Sequence, residues 1–410
     1  AAFGVVLITT KSGTRNRPTT LTYSNNFSWS KPTILPDFAD PVTELQALYD
    51  ASRRSGITSP EIFGMQLQRL REGIMNWKEN YANTNTGREM TEGEDFEFVT
   101  AENRVYFYRV WDAKNEMIED FTNEQLHNLN IQGGSEKIGY YLSAGANDAG
   151  GVMKINPDNV TRYNITASLN AAATKWLDVD AQMMYRNFRY EYPFGYQDYW
   201  YYFWRWGSYF PYGTYNGNYF RHTPAYLAAA QTSDVTSNFS RINLGATAKI
   251  NGNLSIRAAY TIDRDNAIRH EVGGDVMAWD FWGGIPQNLS NIATAAQDRV
   301  TYANSRLLRN VLNAYATFQD TVRRDHHFKL TAGVNAEDYE NIGFAAEKRD
   351  VLDPDKGELP LATGDQFASG NRSKGSYAGY FARLNYDYKN KYLLEVNGRY
   401  DGSSFFSPND

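Results

Sequence analysis

A chain of 410 residues with 41 Lys and Arg against 47 Asp and Glu carries a net charge of −6, which gives a nucleic-acid partner no cationic footprint. It has no cysteine, so disulfides, zinc-thiolate sites and cysteine nucleophiles are excluded. Mean hydropathy is −0.59 and no stretch approaches the roughly 18 apolar residues of a spanning helix, which excludes a helical membrane protein but not a transmembrane barrel.

In chain order, Phe3 to Thr10 is a continuous, largely β-branched run. It reads as a strand buried on both faces, turned at Lys11-Ser12-Gly13. Thr19 to Ser30 then alternates, with Leu21, Tyr23, Phe27 and Trp29 on one side, and is the first predicted barrel strand. A long insertion follows over residues 31–124. It holds two predicted helices, each opened by a capping residue and a proline: Asp40-Pro41, and Ser59-Pro60 ahead of Leu67, Leu70, Ile74 and Trp77.

Five hairpins come next. Their strands are predicted over 125–133 and 138–147, 161–172 and 177–190, 236–250 and 254–270, 306–319 and 326–343, and from 376 to 406 around Lys389-Asn390-Lys391. One strand plus five hairpins makes eleven. The turns within hairpins are short, whereas the connections over 148–160, 191–235, 271–305 and 344–374 are long. That asymmetry is the pattern of an outer-membrane barrel, with an all-β antiparallel fold and long loops on the outside. The 15% aromatic content, 30 tyrosines included, suits the interfacial girdles such a barrel needs. Ala1 falls inside an apolar run and Asp410 just after a strand, so the sequence reads as a piece of a longer chain.

Parity assigns the faces. Tyr163, Ile165, Ala167 and Leu169 form an apolar row, and Arg162, Asn164, Thr166 and Ser168 a polar one. A slip of one residue would carry the polar row into lipid, so the polar rows are expected to line a lumen. Arg257, Asp263 and Arg383 are assigned to that lining by the same alternation.

Candidate binding residues lie in two aromatic loops. The first contains Tyr199, Trp200, Tyr202, Trp204 and Trp206, the second Trp279, Phe281 and Trp282. Their rings could stack on sugar C–H faces, anchor a protein partner, or pack internally to order the loops. Asp263, Asp265 and Glu271 could offer oxygens to calcium, but the spacing is no known loop motif and a solvated rim is the expectation. Adjacent His326 and His327 point to opposite faces and cannot share a metal easily. No G-x-S-x-G elbow or phosphate loop is present. The chain therefore reads as a non-enzyme, with no cofactor and no metal site.

Three stretches carry a family resemblance. They are Ala1-Ala2-Phe3-Gly4-Val5-Val6-Leu7-Ile8-Thr9-Thr10-Lys11-Ser12-Gly13, His127 to Lys137 with Tyr140-Tyr141-Leu142-Ser143, and Phe381 to Tyr388 with Arg399-Tyr400-Asp401-Gly402-Ser403-Ser404-Phe405. Together they resemble SusC-like TonB-dependent outer-membrane transporters, with Phe3 where the family more usually has Asn. The resemblance implies a 22-stranded barrel closed by an N-terminal plug, of which residues 1–14 would be the last strand and 15–410 the first half of the barrel. It also implies an outer-membrane location in a Gram-negative bacterium and a SusD-like surface lipoprotein as partner. Energy coupling would come through TonB at a plug segment outside this chain. The cargo would be an oligosaccharide, or in some members a peptide. Siderophore- or cobalamin-type import and a passive porin are alternatives, the porin predicting no plug. A secreted all-β binding module, the further rival, predicts apolar rows packed into one soluble core.

Overall fold

Side chains that alternate along an extended backbone point to opposite faces, and here that rule holds across a sheet of eleven antiparallel strands. The structure, a computed structural model, describes residues 11–35, 37–84 and 86–406. The expected strand Phe3 to Thr10 lies outside the described residues.

The long strands are β1 (Arg17–Ser30), β2 (Thr122–Gly134), β3 (Ile138–Gly150), β4 (Asn159–Ala172), β5 (Leu177–Pro193) and β6 (Thr232–Lys249). They continue as β7 (Leu254–Val272), β8 (Arg299–Val322), β9 (His326–Arg349), β10 (Gln366–Tyr388) and β11 (Tyr392–Ser403). Each pairs only with its neighbours in sequence, as an up-and-down meander with β1 and β11 at the edges. Tight turns join them at one end. Two of these turns place non-glycine residues in the left-handed region, Arg323 and Arg324 at φ 52° and 62°, and Lys389 and Asn390 at 55° and 54°. The turn at Asn251-Gly252-Asn253 works differently: Asn251 Oδ1 accepts from the backbone N–H groups of Asn253 and Leu254, each at 2.9 Å.

The strands run further than the alternation predicts. β9 and β10 stay paired as far as Lys348 opposite Gln366, so the connection expected over 344–374 is confined to 350–365. Likewise the fourth long connection, expected over 271–305, starts after Val272 and ends before Arg299. The extra pairs, such as Ala346 with Ala368, alternate poorly, which is why they do not read as strand.

Neighbouring registers align the two faces into rows. Leu169, Ala181, Leu244, Tyr260, Leu312, Ala336 and Ala378 stand side by side from β4 to β10. They are not buried in a core: Leu169, Leu244, Tyr260 and Leu312 are 45%, 53%, 42% and 40% exposed. Towards the long connections this face turns polar, where Arg264 donates to Asn310 Oδ1 (3.2 Å) and Asn310 to Asp338 Oδ2 (3.0 Å).

The opposite face carries a ladder of alternating charge. Arg241, Asp263 and Arg309 are directly cross-strand on β6 to β8, and Glu337 of β9, opposite Val311, stands diagonal to Arg309. Arg241 Nε and Nη2 donate to the two oxygens of Asp263 at 2.6 and 2.7 Å, and Arg309 makes the same fork to Glu337 at 2.7 and 2.8 Å. Arg309 also lies 3.7 Å from Asp263. Arg257 reaches over Gly245 to Asp180, with Nη1 to Oδ1 at 2.8 Å. A Cβ at Gly245 would fall 2.5 Å from Asp180 Oδ2, so only glycine leaves that passage open.

Residues 13–16 lie flat on this same polar face at the tight-turn end. Gly13 O accepts from Asn170 Nδ2, Arg15 pairs with Asp178 at 2.7 Å, and Asn16 N donates to Ser135 O at 3.0 Å. Gly139 makes room for them, since a Cβ there would sit 2.8 Å from Thr14 C and 2.9 Å from Arg15 N. Gly139→Val is expected to lift this segment off the sheet and to destabilise the full-length protein by about 1–3 kcal/mol. Limited proteolysis before Arg17 and a denaturant titration check it, and unchanged protection would show that the contact is dispensable.

The dry core lies in the connections. Helices α1 (Pro41–Arg54), α2 (Leu67–Asn80), α3 (Ala113–Met117), α4 (Tyr196–Trp206) and α5 (Thr223–Ala229) pack with short hairpins from the first, third and fourth long connections. Leu45, Leu70, Ile74, Phe96, Tyr106, Phe203, Tyr212 and Phe220 are fully buried there. Asp40 caps α1 as expected, accepting from Val42 N (3.1 Å) and Thr43 N (3.3 Å), and its bond from Lys78 of α2 holds its carboxyl below the usual range. Ser59-Pro60 does not cap α2. Glu61 to Gln66 forms a hairpin whose tip, Phe63-Gly64, is left-handed at φ 53° and 78°, and the helix starts only at Leu67. The apolar face of α2 is nevertheless the expected one, with Leu67, Leu70, Ile74 and Trp77 all buried.

Candidate functional site: a cavity between the sheet and the aromatic cap

Two positive-φ glycines bracket the most aromatic segment. Gly195 and Gly207, both at φ 71°, start and stop α4, so the expected aromatic loop contains a helix of 11 residues. The helix divides its rings between two environments. Phe203, fully buried, and Trp204 turn to the core of the first connection, where Trp204 stacks on Phe38 with centroids 5.7 Å apart. Tyr199, Tyr202 and Trp206, at spacings of three and four, turn to a cavity of about 1030 Å³.

The floor of this cavity is the polar face of the sheet at its long-connection end. Tyr190 and Tyr192 of β5, Arg269 and Glu271 of β7, Arg299 and Thr301 of β8, and Glu347 of β9 line it. The far wall is α4, α5 and the segment around Trp282, contributing His222, Thr223 and Tyr226. Tyr199 stacks on Tyr226 at 5.0 Å and Tyr202 on Trp206 at 5.9 Å with planes 9° apart. Phe63, from the hairpin of the first connection, closes against Trp206 (4.6 Å) and Trp282 (5.1 Å) at the edge.

Charge within the cavity is internally balanced. Arg299 reaches Glu271 at 3.7 Å and Glu347 at 3.5 Å, Arg269 reaches Glu271 at 3.7 Å, and Tyr192 donates to Glu271 at 3.1 Å. Arg221 pairs with Asp280 at 2.9 Å. Burial pushes His222 down to about 3, so its imidazole is neutral, and burial, with Tyr226 close by, raises Tyr199, which keeps its hydroxyl proton. Four residues of the lining each carry a fully buried polar atom without a hydrogen-bond partner among the described residues: His222 Nε2, Thr223 Oγ1, Arg299 Nε and Thr301 Oγ1.

The candidate residues therefore separate. Tyr199, Tyr202, Trp206 and Trp282 meet at the cavity. Trp204, Trp279 and Phe281 do not: Trp279 Nε1 donates to Tyr215 O at 2.7 Å and Phe281 packs on Phe107 at 4.8 Å, both inside the cap. Trp200 belongs to α4, and its side chain lies outside the described set. Arg162, Asn164 and Thr166 stand together on the polar face of β4, opposite Phe188, Arg186 and Met184. Arg257 and Asp263 stand on that face in the ion pairs above, and Arg383 pairs there with Asn397 (2.7 Å) and Glu395 (3.1 Å) on β11.

Asp263 is a correction to the solvated-rim expectation: it is 3% exposed and held by two arginines. Asp265 accepts from Ser237 at 3.0 Å and Glu271 sits among arginines, so these carboxylates are engaged separately. No metal-binding cluster occurs among the described residues. His222, Thr223, Arg299 and Thr301 escaped the sequence reading. Arg299 and Thr301 share the parity of Arg309, and extending β8 upstream would have found them.

No protein-family model matches the chain, and no curated protein does. Among solved structures it is similar to the RagAB peptide transporter, with a TM-score of 0.67 at 14% identity over 98% of this chain and 44% of that one. It is similar also to the RagAB peptide importer in the 'open-open' state, with a TM-score of 0.70 at 16% identity over 98% of this chain and 43% of that one. At such identities the likeness is one of fold. The eleven-stranded antiparallel sheet shares the fold of those structures over nearly its whole length, and the chain spans less than half the length of the proteins it resembles.

Proposed function

We propose that this chain is the first half of the barrel of a TonB-dependent importer in the outer membrane of a Gram-negative bacterium. The observation that carries the reading is an inverted burial pattern. Large apolar side chains on the sheet are exposed in continuous rows, while the dry core sits in the connections at one end. A soluble protein does not leave a face of that extent in water, whereas hydrocarbon covers it without cost. No helix of the described residues is long and apolar enough to cross a membrane, so strands would do the crossing. The polar face then lines the conduit, and residues 13–16 enter along it, as a chain arriving from a plug inside the barrel would.

The cargo is an oligosaccharide by the family resemblance, taken up with a SusD-like lipoprotein. A peptide is the second reading, favoured because the similar solved structures are described as peptide transporters. Transport rather than catalysis is the activity. Deleting the gene in its host should abolish growth on the cargo, deleting tonB should do the same, and the full-length protein should fractionate with outer membranes. Growth that survives loss of TonB would remove the active-import reading and leave a passive pore. Co-purification with a surface lipoprotein tests the partner.

A further inference from the structure

We infer that the outward, apolar side of β7 to β10 ends in a binding site for the phosphate of a lipid headgroup, on the side of the membrane where the long connections lie. The inference rests on the import reading, which sets this side against the bilayer, and adds a ligand on the outer wall that the conduit does not use. Past Tyr260, Leu312, Ala336 and Ala378, the same side carries Arg264 on β7 and Arg306 on β8. It also carries Asp338 and Glu340 on β9, and Arg372 and Lys374 on β10. The registers gather them: Arg264, Leu308, Glu340 and Lys374 form one row, and Arg306, Ile342 and Arg372 the next. On β4, β5 and β6 the first polar residues past the apolar rows are Thr161, Asn187 and Ser240, all uncharged.

The charges of this patch do not cancel. On the polar face the ladder matches cation to carboxylate, Arg241 with Asp263, Arg309 with Glu337 and Arg257 with Asp180. Here four cations meet two carboxylates. Glu340 is shared, 3.1 Å from both Arg372 Nε and Lys374 Nζ, and Asp338 accepts from Asn310. Arg264 donates to neutral acceptors, the backbone oxygens of Asp263 and Arg309 and Asn310 Oδ1. The exposed Arg306 side chain forms no hydrogen bond, ion pair or ring contact among the described residues. An excess of two positive charges beside a hydrocarbon layer draws an anion, and guanidinium forks match the oxygens of a phosphate. Arg306 and Arg372 stand two strands apart, about 10 Å between backbones, a gap that two arginine side chains span from either side.

Apolar neighbours make the phosphate a lipid's rather than a free ion. The patch continues directly from the row of Tyr260 and Leu312, and exposed apolar side chains run on through it. Ile342 lies between Arg306 and Arg372, and Ile268 and Phe344, 43% and 58% exposed, stand beyond them. Unmatched cations interleaved with exposed apolar groups complement a headgroup that carries acyl chains. A free anion gains nothing from the apolar half of that surface.

The test uses the full-length protein in detergent micelles doped with diphosphorylated lipid A, and reads the lipid retained through gel filtration and the affinity from a titration. Phosphate-free lipid A with the same acyl chains, and inorganic phosphate, are the comparison probes. The parent is expected to retain the diphosphorylated lipid and not its phosphate-free form. Arg306→Gln, Arg372→Gln and Lys374→Gln are each expected to weaken binding about fivefold, with the melting temperature in lipid-free detergent unchanged. Lys391→Gln removes an exposed cation at the opposite, tight-turn end and is expected to bind as the parent does. Equal retention of the two lipid forms, or patch variants that bind as tightly as the parent, overturns the site. Displacement by inorganic phosphate at concentrations matching the lipid's reveals a free-anion site and overturns the lipid assignment. A loss as large in Lys391→Gln means diffuse attraction and overturns the localisation. Failure to bind, in a protein that fractionates with outer membranes, overturns this inference alone, whereas absence from that membrane removes the reading beneath it.

Discussion

Asp263→Ala is expected to lower the unfolding free energy of the full-length protein by about 2 kcal/mol, read from denaturant titration in lipid vesicles. Asp263 is the centre of the charge ladder: its side chain is 5% exposed, it accepts both forks of Arg241, and Arg309 stands 3.7 Å away. Without it Arg241 loses its carboxylate and faces Arg309 across one strand, two like charges on a partly desolvated wall. Removing one member of a fully buried pair costs about 3–5 kcal/mol. Arg241 and Arg309 are 38% and 37% exposed, so water takes up part of that penalty. Asp263→Asn should fall between the parent and the alanine variant. The Arg241→Ala/Asp263→Ala double variant should regain stability over Asp263→Ala alone. A single variant as stable as the parent would mean that the ladder is solvated and uncoupled.

Ile165→Arg is expected to destabilise by about 2–4 kcal/mol in the bilayer, and Thr166→Arg by less than about 1 kcal/mol. These residues are neighbours in sequence on β4 and differ in the face they occupy. Ile165, 46% exposed, stands in the apolar row opposite Ala144 and Tyr185; Thr166 stands in the polar row opposite Ser143 and Met184. Composition, propensity and strand position are nearly the same for the two, so the contrast isolates the medium that each face meets. Equal effects, or a larger penalty at Thr166, would place the apolar rows against protein or water and withdraw the membrane assignment. The same pair of variants in detergent should give a smaller contrast, because a micelle deforms around a charge more readily than a bilayer.

Legibility in the sequence followed the range of the interaction. Alternation is a property of adjacent residues, so strand number, order and facing could be read directly, as could the tight turns and the cap of α1 at Asp40. The ends of β8, β9 and β10 could not, because Arg299 to Ser305, Phe344 to Arg349 and Gln366 to Gly375 are held by their partner strands rather than by their own pattern. The helix α4 was concealed by its composition: rings at every position hide a period of 3.6, and the glycines at its ends were the remaining signal. At Ser59-Pro60 a true local signal lost to the hairpin Glu61 to Gln66, since Gly64 offered the chain a turn before the helix could begin.

The sequence by itself determined the fold class of this protein: period-two rows of opposite polarity, short turns on one side and long connections on the other specify a large antiparallel sheet with one apolar and one polar face. Only the tertiary structure decided which rings serve the cap and which face the cavity, and which charges cancel across strands. Tyr202 and Trp204 are two residues apart on one helix yet end in different surroundings: Tyr202 stacks on Trp206, which meets Trp282 from a later connection, whereas Trp204 stacks on Phe38 from the first. Contacts of that separation are set by packing, and no local pattern encodes them.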